Sequence, residues 1–77
     1  MRTITQIEAR DDFTLKVTFS TCDVRTFDIK PLLTCEAFAP LTDLPEFKRI
    51  RNGVYFVEWA SGADISAETL FLDSQPE

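Results

Sequence analysis

The chain has 77 residues, 44% of them hydrophobic, and its 13 acidic and 8 basic residues give a formal net charge of −5. A chain of this length is expected to form one domain over residues 1–77, with a small hydrophobic core and no room for a second site-bearing domain. The negative charge argues against binding to nucleic acid or to anionic membranes, because both present negatively charged phosphate groups.

The first third of the chain predicts three antiparallel strands. Residues 4–9 have modest β character, and residues 10–12 favour a turn. Residues 13–19 alternate regularly and place four apolar side chains on one face, namely Phe13, Leu15, Val17 and Phe19. Residues 24–29 follow a polar turn and predict a third strand. Consecutive strands joined by short turns are typical of a meander.

Prolines divide the middle of the chain into short segments. Pro31 ends the third strand, and Pro45 suits the first turn of a helix over residues 46–50. Residues 54–59 follow an Asn-Gly turn and predict a fourth strand with apolar side chains on both faces. Because the second apolar face needs a cover, a partner subunit is a natural candidate for it.

The end of the chain predicts a second helix and a polar tail. Asp64 or Ser66 can cap a short helix, and residues 72–77 are expected to fray. The predicted fold is therefore α+β. It consists of a small antiparallel sheet, a three-stranded meander plus a fourth strand, with short helices packed on one face.

The residue types exclude several kinds of active site. Histidine is absent, which removes His-based triads and most zinc sites. Cys22 and Cys35 lack the C-x-x-C spacing and have no histidine to activate them, so neither is expected to be a nucleophile. We expect no metal and no cofactor. We also expect no membrane-spanning segment, because no apolar run approaches the ~20 residues that a span needs. These features predict a cytoplasmic protein with reduced thiols.

Two groups of residues are candidates for a binding site. Tyr55, Val57 and Trp59 share one face of the fourth strand and are candidates for an interface, although aromatic residues of this kind are as common in cores. Gly62, Asp64 and Glu68 are candidates for a ligand site. The competing interpretation is that Gly62 makes a tight turn and Asp64 caps the last helix.

Three carboxylates, those of Glu58, Asp64 and Glu68, could also gather around a hard metal ion or act as an acid and base. Their spacing matches no known carboxylate motif, and any acidic chain offers such groups. The basic cluster Lys48, Arg49 and Arg51 is interpreted as a solvated face.

Several motifs resemble a family of small bacterial proteins known as domain of unknown function 2442. They include Leu15-x-Val17-x-Phe19, Phe27-Asp28-Ile29-x-Pro31 and Trp59-x-x-Gly62-Ala63-Asp64-Ile65-Ser66-x-Glu68-x-Leu70. The resemblance implies a small α+β domain of unassigned activity. Some longer relatives carry an added helix-turn-helix segment, which has no counterpart here, and members occur beside another small protein in a toxin–antitoxin-like arrangement.

The sequence therefore favours a protein-interaction module over an enzyme. Its expected partner is a second copy, giving a homodimer, or another small protein, for which it would act as an adaptor or antitoxin-like partner. The alternative is a small-molecule or metal-binding enzyme with a site near residues 59–68.

Overall fold

Seven strands in two antiparallel sheets form the framework of residues 2–77, the part of the chain that the computed structural model describes. The first sheet has the order β1-β2-β3-β7 and the second has the order β4-β5-β6. The strands are β1 (Ile4–Ala9), β2 (Thr14–Phe19), β3 (Val24–Asp28), β4 (Ile50–Asn52), β5 (Phe56–Trp59), β6 (Asp64–Ser66) and β7 (Gln75–Pro76). Two short α-helices, α1 (Leu44–Phe47) and α2 (Ala67–Leu72), and two 3₁₀ segments, Lys30–Leu32 and Glu36–Thr42, complete the fold. The predicted α+β class is confirmed.

The first sheet is organised around β2, which pairs with both β1 and β3. Leu15, Val17 and Phe19 are almost completely buried, while the side chains between them lie on the wetter face. This burial follows from the alternation in the sequence, because successive side chains of a strand point to opposite faces. The predicted three-stranded meander is confirmed.

The tail differs from the sequence-based expectation. Residues 72–77 were expected to fray, but Gln75–Pro76 forms β7 against β3, and the Glu77 N–H donates to the Val24 carbonyl. Pro76 lies opposite Arg25, a position that forms no ladder hydrogen bond, so its missing N–H costs nothing there. The Arg25 guanidinium also donates from Nε to Ser74 Oγ (2.6 Å) and from Nη2 to the Ser74 carbonyl (2.8 Å). These long-range contacts could not be read from the polar composition of the tail.

The fourth predicted strand lies in the second sheet and begins later than expected. Pairing places β5 between β4 and β6, and Val54 and Tyr55 belong to the turn that precedes it. The fourth strand of the meander sheet is instead β7. Val54 leaves the strand because its φ of 74° lies in the left-handed region, which no extended residue adopts.

Both helices are short, and α1 departs from its predicted position. α1 ends at Phe47, and Ile50 belongs to β4, so the predicted helix over residues 46–50 is displaced towards the N-terminus. Ser66 caps α2 by accepting a hydrogen bond from the Thr69 N–H at 3.2 Å, whereas Asp64 is part of β6. No helix within residues 2–77 is long and apolar enough to cross a membrane.

One hydrophobic core joins both sheets and both helices. Trp59 stacks on Phe47 of α1 at a centroid distance of 6.2 Å, and its indole N–H donates to the Phe47 carbonyl at 2.7 Å. The chain exposes 4519 Å² of surface, against about 4,800 Å² expected for a monomer of 8.8 kDa. The folded monomer therefore buries as much of its surface as an ordinary monomeric domain.

Candidate functional site

The three interface candidates separate in the folded chain. Tyr55 is 56% exposed, but Val57 is 0% and Trp59 is 3% exposed. The prediction that all three form an interface is therefore corrected, because Val57 and Trp59 lie in the core and their side chains are not accessible to a partner. Tyr55 leaves their face of the strand because the chain turns sharply at Val54, immediately before it. Its role in an interface stays a prediction.

Tyr55 lies in the turn between β4 and β5, and we call Gly53, Val54 and Tyr55 the hairpin tip. The Tyr55 N–H donates to the Gly53 carbonyl at 2.9 Å, and the Gly53 N–H donates to the Phe56 carbonyl at 2.7 Å. With Val54 at φ 74°, the tip is a γ-turn of the rarer form, which has positive φ at its centre. A β-branched residue in this conformation is strained by about 1–3 kcal/mol. Val54 is nevertheless 46% exposed, so burial of its side chain does not account for the strain.

The carboxamide of Asn52 holds the hairpin tip in place. Its Oδ1 accepts from the Val54 N–H at 2.8 Å, and its Nδ2 donates to the Ile4 carbonyl at 2.8 Å. The Val54 carbonyl in turn accepts from the Ile4 N–H at 2.7 Å, and the Tyr55 carbonyl accepts from the Ala67 N–H at 2.9 Å. The tip is thus fixed to the start of β1 and to the start of α2, and its two apolar side chains remain outside.

The second apolar face of β5 is smaller than the sequence suggested. Phe56 is half-buried, and its ring covers Gly53 so closely that a Cβ there would lie 2.5 Å from the ring. A larger residue at position 53 would therefore have to displace the Phe56 ring. A cover for Phe56 is present within the chain, so a partner subunit is not needed for this purpose.

The residues proposed for a ligand site lie on a turn, a strand and a helix that follow one another in the chain. Gly62 has a φ of 101° and lies in the turn between β5 and β6, as the turn interpretation predicted. Asp64 is exposed on β6, where it neighbours Glu58 across the strand pair, and the helix cap is Ser66 instead. Glu68 lies 3.7 Å from Arg2.

The buried polar side chains of the described residues all have hydrogen-bond partners. Within residues 2–77, no group of three or more Cys, Asp or Glu side chains is placed to hold a metal ion. In the same range, every buried side-chain nitrogen or oxygen has a hydrogen-bond partner. A recess of about 370 Å³ is lined by Arg49, Arg51, Glu58, Trp59 and Ala60. Within it Arg51 pairs with Glu58, and Arg49 pairs with Glu46 beside it.

The basic cluster is neutralised locally. Lys48 pairs with Asp11, Arg49 with Glu46 at 3.6 Å, and Arg51 with Glu58. Each cation therefore has a carboxylate beside it, which weakens the positive field that a phosphate backbone would meet.

Three turns share one geometry that the sequence did not reveal. The turns are residues 10–14, 19–23 and 59–63. In each, the N–H of the first residue donates to the carbonyl of the fifth, and the carbonyl of the first residue accepts from the N–H of the fourth. The fourth residue has positive φ in each case, with 62° at Phe13, 72° at Cys22 and 101° at Gly62. This is the hairpin loop in which a type I turn is followed by a left-handed residue. Only the third turn carries the glycine that would have indicated it.

The first of these turns also contains Asp12, a carboxylate whose pKa lies below its ordinary value. Thr14 donates to Asp12 Oδ1 from its hydroxyl at 2.6 Å and from its N–H at 3.2 Å. The hydroxyl hydrogen bond, followed by weaker contributions that include the charge of Lys30, lowers the pKa of Asp12. The carboxylate fixes the turn, and nothing around it suggests catalysis.

Comparison with known proteins agrees with the architecture. A family model described as protein of unknown function (DUF2442) matches residues 4–75. The chain belongs to this family. The DUF2442 match includes both sheets up to the start of β7 and the whole hairpin tip, and the family description assigns no activity. No curated protein and no solved structure matches the chain.

Proposed function

We propose that this DUF2442 protein is a protein-interaction module that binds another protein through its hairpin tip. The observation that carries the proposal is the tip itself. Two apolar side chains, Val54 and Tyr55, are exposed on a strained turn that six hydrogen bonds hold in place. Strain that the surrounding structure maintains without a packing reason is typical of functional sites.

The geometry of the tip suits recognition. A tyrosine presents a large apolar ring and a hydroxyl with few rotatable bonds, so little conformational entropy is lost when it is buried by a partner. The backbone of the tip is already fixed in the folded chain, so little further backbone entropy is lost when a partner binds. Both features favour binding by the tip over a role in the stability of the monomer.

The surface area constrains the kind of complex. The monomer buries as much surface as its mass predicts, which favours a chain that folds before it meets a partner. We infer a reversible complex with a small interface, of the kind formed by transient partners. The partner is a second small protein, which this chain would serve as an adaptor or antitoxin-like neutralising subunit, or a second copy of the chain in a homodimer. A cytoplasmic location belongs to the same proposal.

The test is the substitution Tyr55→Glu, examined by native mass spectrometry of tagged protein isolated gently from cell lysate. Tyr55 contributes little to the core, so Y55E should leave the circular dichroism spectrum and the Tm unchanged. A stoichiometric complex seen with the parent protein should be lost.

The matched control is Leu72→Glu, which places the same charge on the residue with the most exposed large apolar side chain in residues 2–77, at 73%. L72E should retain the complex. If Y55E retains it too, or if both variants lose it equally, the hairpin tip is not the interface.

A further inference from the structure

The outer face of the first sheet, opposite to the face that packs on the core, carries polar side chains. Gln6 and Glu8 of β1 lie on this face, and so do Lys16 and Thr18 of β2, because they alternate with the apolar residues that face the core. The register sets Gln6 directly opposite Thr18 and Glu8 directly opposite Lys16. An amide, a hydroxyl, a carboxylate and an ammonium are therefore neighbours on two adjacent rows of the sheet.

These four side chains border an open recess of about 340 Å³, together with residues 5 and 7 and Asn52. Asn52 lies at the rim, but its carboxamide already bonds to Val54 and Ile4. Ligand sites in proteins begin at about 300 Å³, so the recess has room for a small molecule only.

Lys16 differs from the other cations of residues 2–77. Its side chain is half-buried, yet its ammonium takes part in none of the ion pairs of that range. Every other Lys or Arg side chain there pairs with a carboxylate, except Arg25, which donates to Ser74. A half-buried ammonium without a partner is unfavourable, because it has lost part of its hydration without gaining a counter-charge.

The carboxylate that faces Lys16 has no ion pair either. Glu8 lies directly opposite Lys16, in a row where the two Cα atoms are about 5.5 Å apart. The two charged ends nevertheless form no ion pair with each other. The recess is therefore bordered by one positive and one negative group that both retain their capacity for charge-assisted hydrogen bonds.

The two charges decide the class of ligand. A simple anion would be attracted by Lys16 but repelled by Glu8 and by the net charge of −5, whereas a simple cation would be repelled by Lys16. A molecule that carries both charges can pair with both side chains at once. On the next row, Gln6 and Thr18 offer donors and acceptors to an uncharged polar group.

We propose that this recess binds a small zwitterion of the α-amino acid type. The ligand carboxylate accepts hydrogen bonds from the Lys16 ammonium, and the ligand ammonium donates to the Glu8 carboxylate. A polar ligand side chain extends over Gln6 and Thr18. This site adds small-molecule binding to the proposed interaction function and does not depend on it.

The probe is L-glutamine, added to ¹⁵N-labelled protein and followed through the backbone amide signals by two-dimensional NMR. The signals of residues 6, 8, 16 and 18 should shift in a saturable manner, with a Kd of about 1–10 mM for a ligand of this size at an open site. Acetate and methylammonium each carry one of the two charges and should bind roughly tenfold more weakly or less.

A titration without saturable shifts at these residues, up to about 100 mM L-glutamine, would overturn the proposal. The same result is expected if Lys16 and Glu8 pair with each other in solution, because the ligand would then meet no free charge. Equal binding of acetate, methylammonium and L-glutamine would also overturn it, since recognition of both charges together is the basis of the site.

Two substitutions remove one charge each without a large change of shape. Lys16→Met and Glu8→Gln should each raise the Kd for L-glutamine roughly tenfold, because one charge-assisted hydrogen bond is weakened or lost. Both side chains lie outside the core, so the circular dichroism spectrum should be unchanged.

The matched controls are Lys48→Met and Glu36→Gln, which make the same chemical changes outside the recess. They should leave the Kd for L-glutamine unaltered. If the two recess variants bind as tightly as these controls, the shifts do not come from the recess and the proposal fails.

The recess and the hairpin tip can be tested separately. Y55E alters none of the side chains that border the recess and should bind L-glutamine as the parent does. K16M should retain the native complex. Loss of the complex in Y55E with unchanged L-glutamine binding would support both sites, and failure of either result concerns that site alone.

Discussion

Replacement of Cys22 by glycine should stabilise the protein. Cys22 has a φ of 72°, and the turn around it matches the turn that contains Gly62, down to hydrogen bonds of 2.9 Å in both. A side chain in the left-handed region costs about 1–2 kcal/mol. The Cys22 side chain is exposed and so contributes little burial to offset that cost.

The magnitude follows from two opposing effects. Cys22→Gly removes the cost of the left-handed conformation but gives the unfolded chain more freedom, which is unfavourable by about 0.5–1 kcal/mol. The net gain in the free energy of unfolding is therefore about 0.5–1 kcal/mol. For a domain of this size, about 1 kcal/mol corresponds to a rise in Tm of about 4–8 °C, so we expect roughly 2–8 °C.

The reciprocal substitution tests the same reasoning in the opposite direction. A Cβ at Gly62 would meet nothing within 4 Å, so Gly62→Ala introduces only the conformational cost. It should lower the free energy of unfolding by about 0.5–1 kcal/mol, by the same two effects.

Urea denaturation followed by circular dichroism measures both changes, and an unchanged m-value shows that the unfolded state is comparable. Cys22→Ala separates the loss of the thiol from the change in backbone freedom and should have little effect. If C22G is no more stable than C22A, or if G62A is neutral, the left-handed residues do not carry the strain assigned to them.

Two further substitutions test other contacts. Trp59→Phe removes the donor to the buried Phe47 carbonyl and should lower the free energy of unfolding by about 1–3 kcal/mol, measured by urea denaturation, because the carbonyl is left unpaired. Thr14→Val removes the hydroxyl that lowers the pKa of Asp12, so the pKa should rise towards its ordinary value in an NMR titration. Because the folded-state pKa lies below the unfolded value of about 3.9, ionised Asp12 stabilises the parent above that pH, and this contribution disappears as the pH falls through the folded value. T14V should lose part of this acid dependence, and an unchanged pKa would contradict the hydrogen-bond explanation.

The candidate site could be predicted only in part. The sequence predicts Tyr55 as an exposed interface candidate, and only its exposure is confirmed. Val57 and Trp59 are grouped with it because the strand alternation is extended through Val54. The bend at Val54 depends on Asn52 and on Ile4, which lies far away in the sequence. A β-branched residue gives no local signal for a left-handed turn, and the Asn-Gly pair before it indicated only that the chain turns nearby.

The place of β1 at the end of its sheet could not be predicted. Whether a strand is central or at an edge depends on which other strands pair with it. The surroundings of β1 depend on two contacts. β7 pairs with β3, and the hairpin tip bonds to Ile4. Neither contact has a signature within residues 4–9.

The sequence by itself determined what depends on near neighbours. The alternation that ends at Phe19 specified the half-buried strand β2, although Phe13 lies in the turn before it. The sequence also offered Asp64 or Ser66 as the cap of α2, and Ser66 is the one used. Both signals act over a few residues. The tertiary structure decided the division into two sheets, the pairing of the tail and the strained turn at Val54. Each of these depends on hydrogen bonds between segments distant in the chain, and their free energy is available only after the core has brought those segments together.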